Sequence, residues 1–142
     1  MELQDFNPWW RDGKVPAGLL GKKRRIFNDI IKYVDKRQII LFTGLRRVGK
    51  TTLMYQIMEE LLEKKVSPYH ILYFSFDEMR YDLNDIVKEY ETQVLRGNIS
   101  KNRVFIFLDE IQKLPDWTSK VKLLYDMNPG VKIFLTGSAQ IT

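Results

Sequence analysis

The chain has 142 residues, 44% hydrophobic and 29% charged, with a net charge of +5 and no cysteine. That is one globular domain with enough apolar residues for a core. It excludes a disulfide framework and any thiolate metal site, and it makes a cytoplasmic location the default. No apolar run approaches the ~18–20 residues that span a bilayer, and the first ten residues carry no basic-then-apolar signal pattern. The charge is uneven: residues 1–50 hold 12 Lys/Arg against 5 Asp/Glu, and the remaining 92 hold 11 against 13.

Residues 1–20, with two prolines and the adjacent Trp9 and Trp10, show no periodicity and read as an irregular lead-in. Residues 24–37 place Ile26, Phe27, Ile30, Ile31 and Val34 on one face of a helix. Gln38–Thr43 is short, apolar and β-branched, as in a buried parallel strand. A second helix follows with Leu53, Met54, Ile57, Met58, Leu61 and Leu62 at helical spacing. His70–Phe76 reads as a second strand, after the break at Ser67 and Pro68. A third helix runs from Asp82, a plausible N-cap, towards a stop at Gly97. Val104–Leu108 is the third strand. Pro115 opens a fourth helix carrying Trp117, Val121, Leu124 and Tyr125, and Val131–Thr136 is the fourth strand. Alternating strands and helices, with strands apolar on both faces, predict an α/β domain with a parallel sheet between two helical layers.

Two segments carry chemistry. Residues 44–51, Gly-Leu-Arg-Arg-Val-Gly-Lys-Thr, fit the phosphate-loop pattern G-x-x-x-x-G-K-[ST] between a strand and a helix. Gly44 and Gly49 let the backbone curl so that the N–H groups of Leu45, Arg46, Arg47, Val48 and their neighbours through Thr52 point at phosphate oxygens. The helix dipole adds to that field. Lys50 is expected to reach the β- and γ-phosphates, and the Thr51 hydroxyl to ligate Mg2+. The second segment is Val104–Leu108 followed by Asp109 and Glu110. Asp109 is expected to hold Mg2+ through a water, and Glu110 to polarise the attacking water as general base. Ligands bind at the carboxyl ends of strands in such sheets, which favours that reading over a merely solvated strand end. Together the segments imply binding of ATP with Mg2+, and its hydrolysis.

Thr136, Gly137 and Ser138 end the fourth strand at the same edge. Ser138 is the preferred hydroxyl to meet the γ-phosphate or the water, the alternative being a turn serine. Arg46 and Arg47 are open between phosphate contact, pairing with Asp77 or Glu78, and a neighbouring subunit. His70, Trp9, Trp10 and Trp117 read as packing residues. The N-terminal charge is the one feature that favours contact with nucleic acid.

Gly44–Thr52, Phe107–Gln112, Trp117 and Leu135–Ser138 together resemble the AAA+-type ATPases common in archaea and bacteria, near the archaeal ATPases and STAND-type signalling ATPases. The lead-in Asn7–Trp10 and Gly21–Arg25 resemble them too. The resemblance implies a P-loop NTPase sandwich of the ASCE type with strand order 5-1-4-3-2, and Leu19–Gly21 flanking the adenine. It also implies that residues 21–142 form an ATPase core that lacks a fifth strand, a helical lid and a C-terminal module. The chain is then expected to be the N-terminal part of a longer protein. An unpaired first strand near Ile39–Leu41 would invite self-association or capping by the lead-in. Three functions follow as expectations: an ATPase whose turnover drives a conformational switch, a nucleotide-dependent binding module with little turnover, and a nucleic-acid-processing motor.

Overall fold

The structure, a computed structural model of the chain, describes residues 2–22, 25–44, 48–77 and 81–138, leaving out the side chains of Arg25 and Val48. Four strands, β1 (Ile40–Phe42), β2 (Ile71–Ser75), β3 (Val104–Asp109) and β4 (Val131–Thr136), form one sheet in the order β1-β4-β3-β2. Every pairing is parallel, with Phe107 opposite both Tyr73 and Phe134. The Phe107 and Phe134 rings stack with centroids 4.5 Å apart, the kind of cross-strand pair that holds register. β2, β3 and β4 are buried along their whole length, which is why their sequences run apolar without alternation.

Helix α4 (Val48–Glu63) lies between β1 and β2 in the chain and buries Leu53, Met54, Ile57, Met58 and Leu61. It stops where Lys65 turns left-handed, φ 72°. Helix α3 (Arg25–Ile30) is shorter than its pattern predicts. It tightens into a 3-10 turn at Ile31–Tyr33, burying Phe27, Ile30 and Val34 but leaving Ile26 exposed. Helix α5 (Leu83–Tyr90) runs on through a wider π turn, Glu91–Leu95. Its stop falls at Arg96, left-handed at φ 54°, one residue before the expected Gly97. Asp82 takes the N-cap backbone position without a capping side-chain bond, and pairs instead with Lys120 at 2.8 Å, which draws its carboxyl below the usual range. Pro115 precedes helix α6 (Trp117–Met127) by two residues, because Asp116 supplies the cap in a left-handed conformation.

The lead-in is ordered rather than irregular. It forms two single-turn helices, α1 (Leu3–Phe6) and α2 (Trp9–Asp12), and a 3-10 turn at Ala17–Leu19. Leu3, Trp9, Trp10 and Val15 join the same core as the sheet. It caps a sheet edge, but the opposite one from that expected. Asn7 Nδ2 donates to Tyr73 O (3.0 Å) and Asn7 Oδ1 accepts from Tyr73 N–H (2.7 Å), so one side-chain amide stands in for a fifth strand beside β2. The Trp9 and Trp10 indoles both donate to Ile71 O, at 3.0 and 2.8 Å. Along β1, among the described residues, the strand partner is β4, and Leu41 is 40% exposed.

Candidate functional site

Three element ends converge at the carboxyl edge of the sheet: the first turn of α4, the end of β3 and the end of β4. Gly44 ends the run from β1 at φ 77°, a backbone open to glycine and strained for other residues. Leu45, Arg46 and Arg47 lie outside the described residues, so the loop cradle expected there is not on view. The helix resumes at Val48, and Gly49, Lys50, Thr51 and Thr52 fall in its first turns.

Lys50 is 6% exposed, and its amine donates to Gly137 O at 2.5 Å, just past β4. Asp109 is 3% exposed and is gripped by three hydroxyls. Thr51 and Tyr73 each donate to Oδ2 at 2.7 Å, and Thr136 donates to Oδ1. Thr136 Oγ1 also accepts from Glu110 N–H at 2.8 Å, tying the end of β3 to the end of β4. Burial first, and the Asp109 carboxylate second, push the Tyr73 phenol far above its ordinary value, so it stays a donor.

Glu110 sits at φ 55°, ψ 50°, where a residue with a Cβ pays a strain of roughly 1–3 kcal/mol. That kink lifts its side chain off the line of β3. Its Oε1 accepts from Gln112 Nε2 at 2.7 Å, and Gln112 Oε1 accepts from Ser138 N–H at 3.3 Å. Ser138 therefore joins the site through its backbone, while Thr136 is the hydroxyl bound to Asp109. A cleft of about 530 Å³ opens beside these groups, lined by Thr51, Tyr55, Tyr73, Asp109 and Glu110 and walled on the far side by Asp5, Phe6 and Pro8 of the lead-in. Leu20 O and Lys22 O are held by Gln56 Nε2 of α4 at 2.6 and 3.0 Å. The segment expected to flank the adenine thus lies against α4 next to Thr52, whose Cγ2 comes within 3.1 Å of where a Cβ on Gly21 would stand.

The geometry brings together Lys50, Thr51, Asp109, Glu110 and Ser138, as their spacing predicts. It adds Tyr73, Thr136 and Gln112. Thr136 carried a usable signal, a hydroxyl at the carboxyl end of a buried strand. Tyr73 and Gln112 carried none beyond their neighbourhood. Of the partners considered for Arg46 and Arg47, Asp77 is already paired with Lys113, and Glu78 lies outside the described residues. His70 sits at the rim, its Nδ1 2.9 Å from Arg103 O.

A parallel β1-β4-β3-β2 sheet with a strand-to-helix phosphate-loop sequence and an acidic β3 terminus is the architecture of a P-loop NTPase. Residues 36–142 match the family model described as an AAA domain, and the chain belongs to that family. It is similar to two uncharacterized proteins of Methanocaldococcus jannaschii. One is 36% identical over 130 residues, covering 84% of this chain and 27% of the relative; the other is 32% identical over 123 residues, covering 84% and 26%. An uncharacterized protein of Haemophilus influenzae is 25% identical over 118 residues, covering 82% and 29%. The chain thus spans little more than a quarter of the length of these relatives. The solved structure of C. elegans PCH-2 superposes with a TM-score of 0.52 at 16% identity, covering 93% of this chain and 41% of that one, a likeness of fold. Family and fold place the chain among nucleotide-binding, ATPase-like domains. Among the described residues no helix is long and apolar enough to cross a membrane.

Proposed function

We propose that the chain is the ATP-binding core of an ATPase in which Mg2+-dependent hydrolysis times a conformational change. The observation that carries this reading is the hydrogen-bonded set Thr51–Asp109–Thr136–Glu110, which links the first turn of α4 to the ends of β3 and β4. A hydroxyl and a carboxylate 2.7 Å apart, at the start of a helix, are the hard oxygen donors that suit Mg2+ bound mainly by phosphate and water. Thr51 would hold the ion directly and Asp109 through a water; bound there, Mg2+ would neutralise charge on the β- and γ-phosphates.

The chain's own groups do the rest. Lys50 exchanges the Gly137 carbonyl for phosphate oxygens, and the backbone of residues 44–52 supplies N–H donors to the same anion. Leu19–Gly21, held to α4 by Gln56, borders the base. Glu110 takes a proton from the attacking water once its carboxylate is free of Gln112. Thr136 holds Glu110 by accepting its backbone N–H, and Ser138, just past β4, donates its own N–H to Gln112. An arginine supplied in such reactions to the developing charge on the γ-phosphoryl is commonly worth about 10³–10⁵ in rate. Self-association along β1 retains its physical basis in the exposed Leu41 edge.

One observation favours the second reading, a nucleotide-dependent binding module. The Glu110 carboxylate accepts a bond from its own chain, at 2.7 Å from Gln112, which keeps the base engaged. Calorimetry with ATP and Mg2+ tests what the two readings share. Saturable binding that tightens with Mg2+ is expected, and no binding in the presence of Mg2+ would sink both. Steady phosphate release then separates the enzyme from the binding module.

A further inference from the structure

We infer that Tyr73 is a positioning residue for the metal-dependent part of nucleotide binding, and that it ties the site to the docking of the lead-in on the β2 edge. The inference rests on the proposed role of Asp109 in holding Mg2+. Asp109 Oδ2 accepts from both Thr51 and Tyr73 at 2.7 Å. The Thr51 hydroxyl is the one assigned to the cation, which it would meet through an oxygen lone pair while its hydrogen stays on Asp109. Tyr73 and Thr136 are the two donors on Asp109 that have no assigned contact with the cation, and so hold the carboxylate plane from the protein side.

These two donors are anchored differently. Thr136 lies inside the sheet, on the central strand β4. Tyr73 lies on the edge strand β2, and among the described residues its peptide is held on the outer side by Asn7, through N–H to Oδ1 (2.7 Å) and O to Nδ2 (3.0 Å). Asn7 is fully buried and also donates to Leu3 O at 2.8 Å. A continuous path therefore runs from the metal carboxylate through one phenol to one peptide to one amide of the lead-in. The lead-in is also a wall of the same cleft, through Asp5, Phe6 and Pro8. Any shift of Asp109 on cation binding pulls on the phenol, and through it on the bonds that dock residues 3–12.

The test is calorimetry on the full chain with ATP, with and without Mg2+, comparing wild type with Tyr73→Phe. The phenylalanine keeps the ring contacts to Tyr55 and Trp9 and loses the hydroxyl. Measured against each protein's own affinity without Mg2+, the gain brought by Mg2+ should shrink by roughly tenfold in the variant, the loss of one hydrogen bond to a charged group. An equal Mg2+ gain in both proteins overturns the inference. Wild type that binds ATP without any Mg2+ gain overturns the assignment of Asp109 instead. A second arm needs no variant: in hydrogen exchange of the wild type, ATP with Mg2+ should slow two amides several-fold more than ATP alone, that of Tyr73 on Asn7 and that of Gly13, which closes α2 on Trp9 O at 2.9 Å. Equal exchange in the two conditions also overturns the inference, whether or not Tyr73→Phe folds.

Discussion

Two lysines are buried at opposite ends of the same sheet, and each donates to backbone carbonyls. Lys50, at the carboxyl end, has Gly137 O as its partner and stands in the first turn of α4, just after the phosphate-loop sequence. Lys132, on β4 at the amino end, is 2% exposed and bridges Lys36 O (2.6 Å) and Gln38 O (2.7 Å). The chain just before β1 is locked there a second time, by Arg37, which donates to Val131 O at 3.2 Å and lies 3.8 Å from the Tyr125 ring centroid. Among the described residues the first amine has one hydrogen-bond partner, which phosphate would replace in the proposed reading. The other closes a corner where Gln38 O would lose the amine, while Lys36 O would keep only the Gln38 N–H. A buried cation is thus a site or a clamp according to what its departure costs, and the difference can be measured.

The largest effect should come from the carboxyl end, where Glu110→Gln keeps the size of the side chain and its bond to Gln112 but removes the base. Hydrolysis should fall by ~10²–10⁴ with ATP affinity retained. Phosphate release at the wild-type rate would move the base elsewhere. Next comes the crossed pair of lysine variants. Lys50→Ala should weaken ATP binding by about two orders of magnitude or more, since it removes charge-assisted bonds to phosphate. Its folding stability should be nearly unchanged, as the Gly137 carbonyl lies at the loop edge. Lys132→Met should do the reverse, lowering stability by roughly 1–3 kcal/mol by taking the amine from Gln38 O and Lys36 O while leaving ATP affinity intact. Chemical denaturation and calorimetry on the two variants read both axes. If both lose binding, or both lose stability, the contrast between the two ends fails.

The contrast also marks what the sequence could disclose. Strand and helix identities followed from apolar runs and helical spacing, because local periodicity reports burial directly. That Lys50, Thr51 and Asp109 lie at one edge of the sheet followed because short motifs mark a helix start and a strand end. Other features depend on residues brought together only by the fold. Asn7 meets Tyr73 across 66 positions, and an Asn two residues before a pair of tryptophans carries no mark of an edge cap. The edge expected to be capped was β1, since β1 is where a further strand would add, but the lead-in takes β2 because its amide and indoles fit the free groups of Ile71 and Tyr73. Helix ends were misjudged by a residue or two where Arg96 and Asp116 adopt left-handed turns in place of the Gly or Pro that usually marks them. Lys132 looked like an ordinary polar residue in a strand. Its burial depends on carbonyls 94 and 96 residues away.

The smallest effect is a dependence of stability on pH that belongs to the amino end alone. Burial, followed by the nearby Arg103 charge, pulls the Lys132 amine down from 10.5 to about 8, with Asp35 opposing. Below pH 8 the amine is protonated in both folded and unfolded chains, and the cost of burying its charge is fully present. Between about 8 and 10 the unfolded chain still binds this proton and the folded chain does not. Stability therefore rises with pH across that window. Burial raises the Tyr73 and Tyr90 phenols, so from about pH 10 upward it is the unfolded chain that loses protons and the slope reverses. The two carbonyls on the amine favour its charged form and work against the first slope, so the rise is shallow. Urea midpoints between pH 7 and 11 should pass through a maximum near 10 in wild type and in Lys50→Ala. In Lys132→Met the rise should vanish while the fall above 10 persists. A maximum that survives in Lys132→Met would assign the titration to another group and leave the two lysines without this distinction.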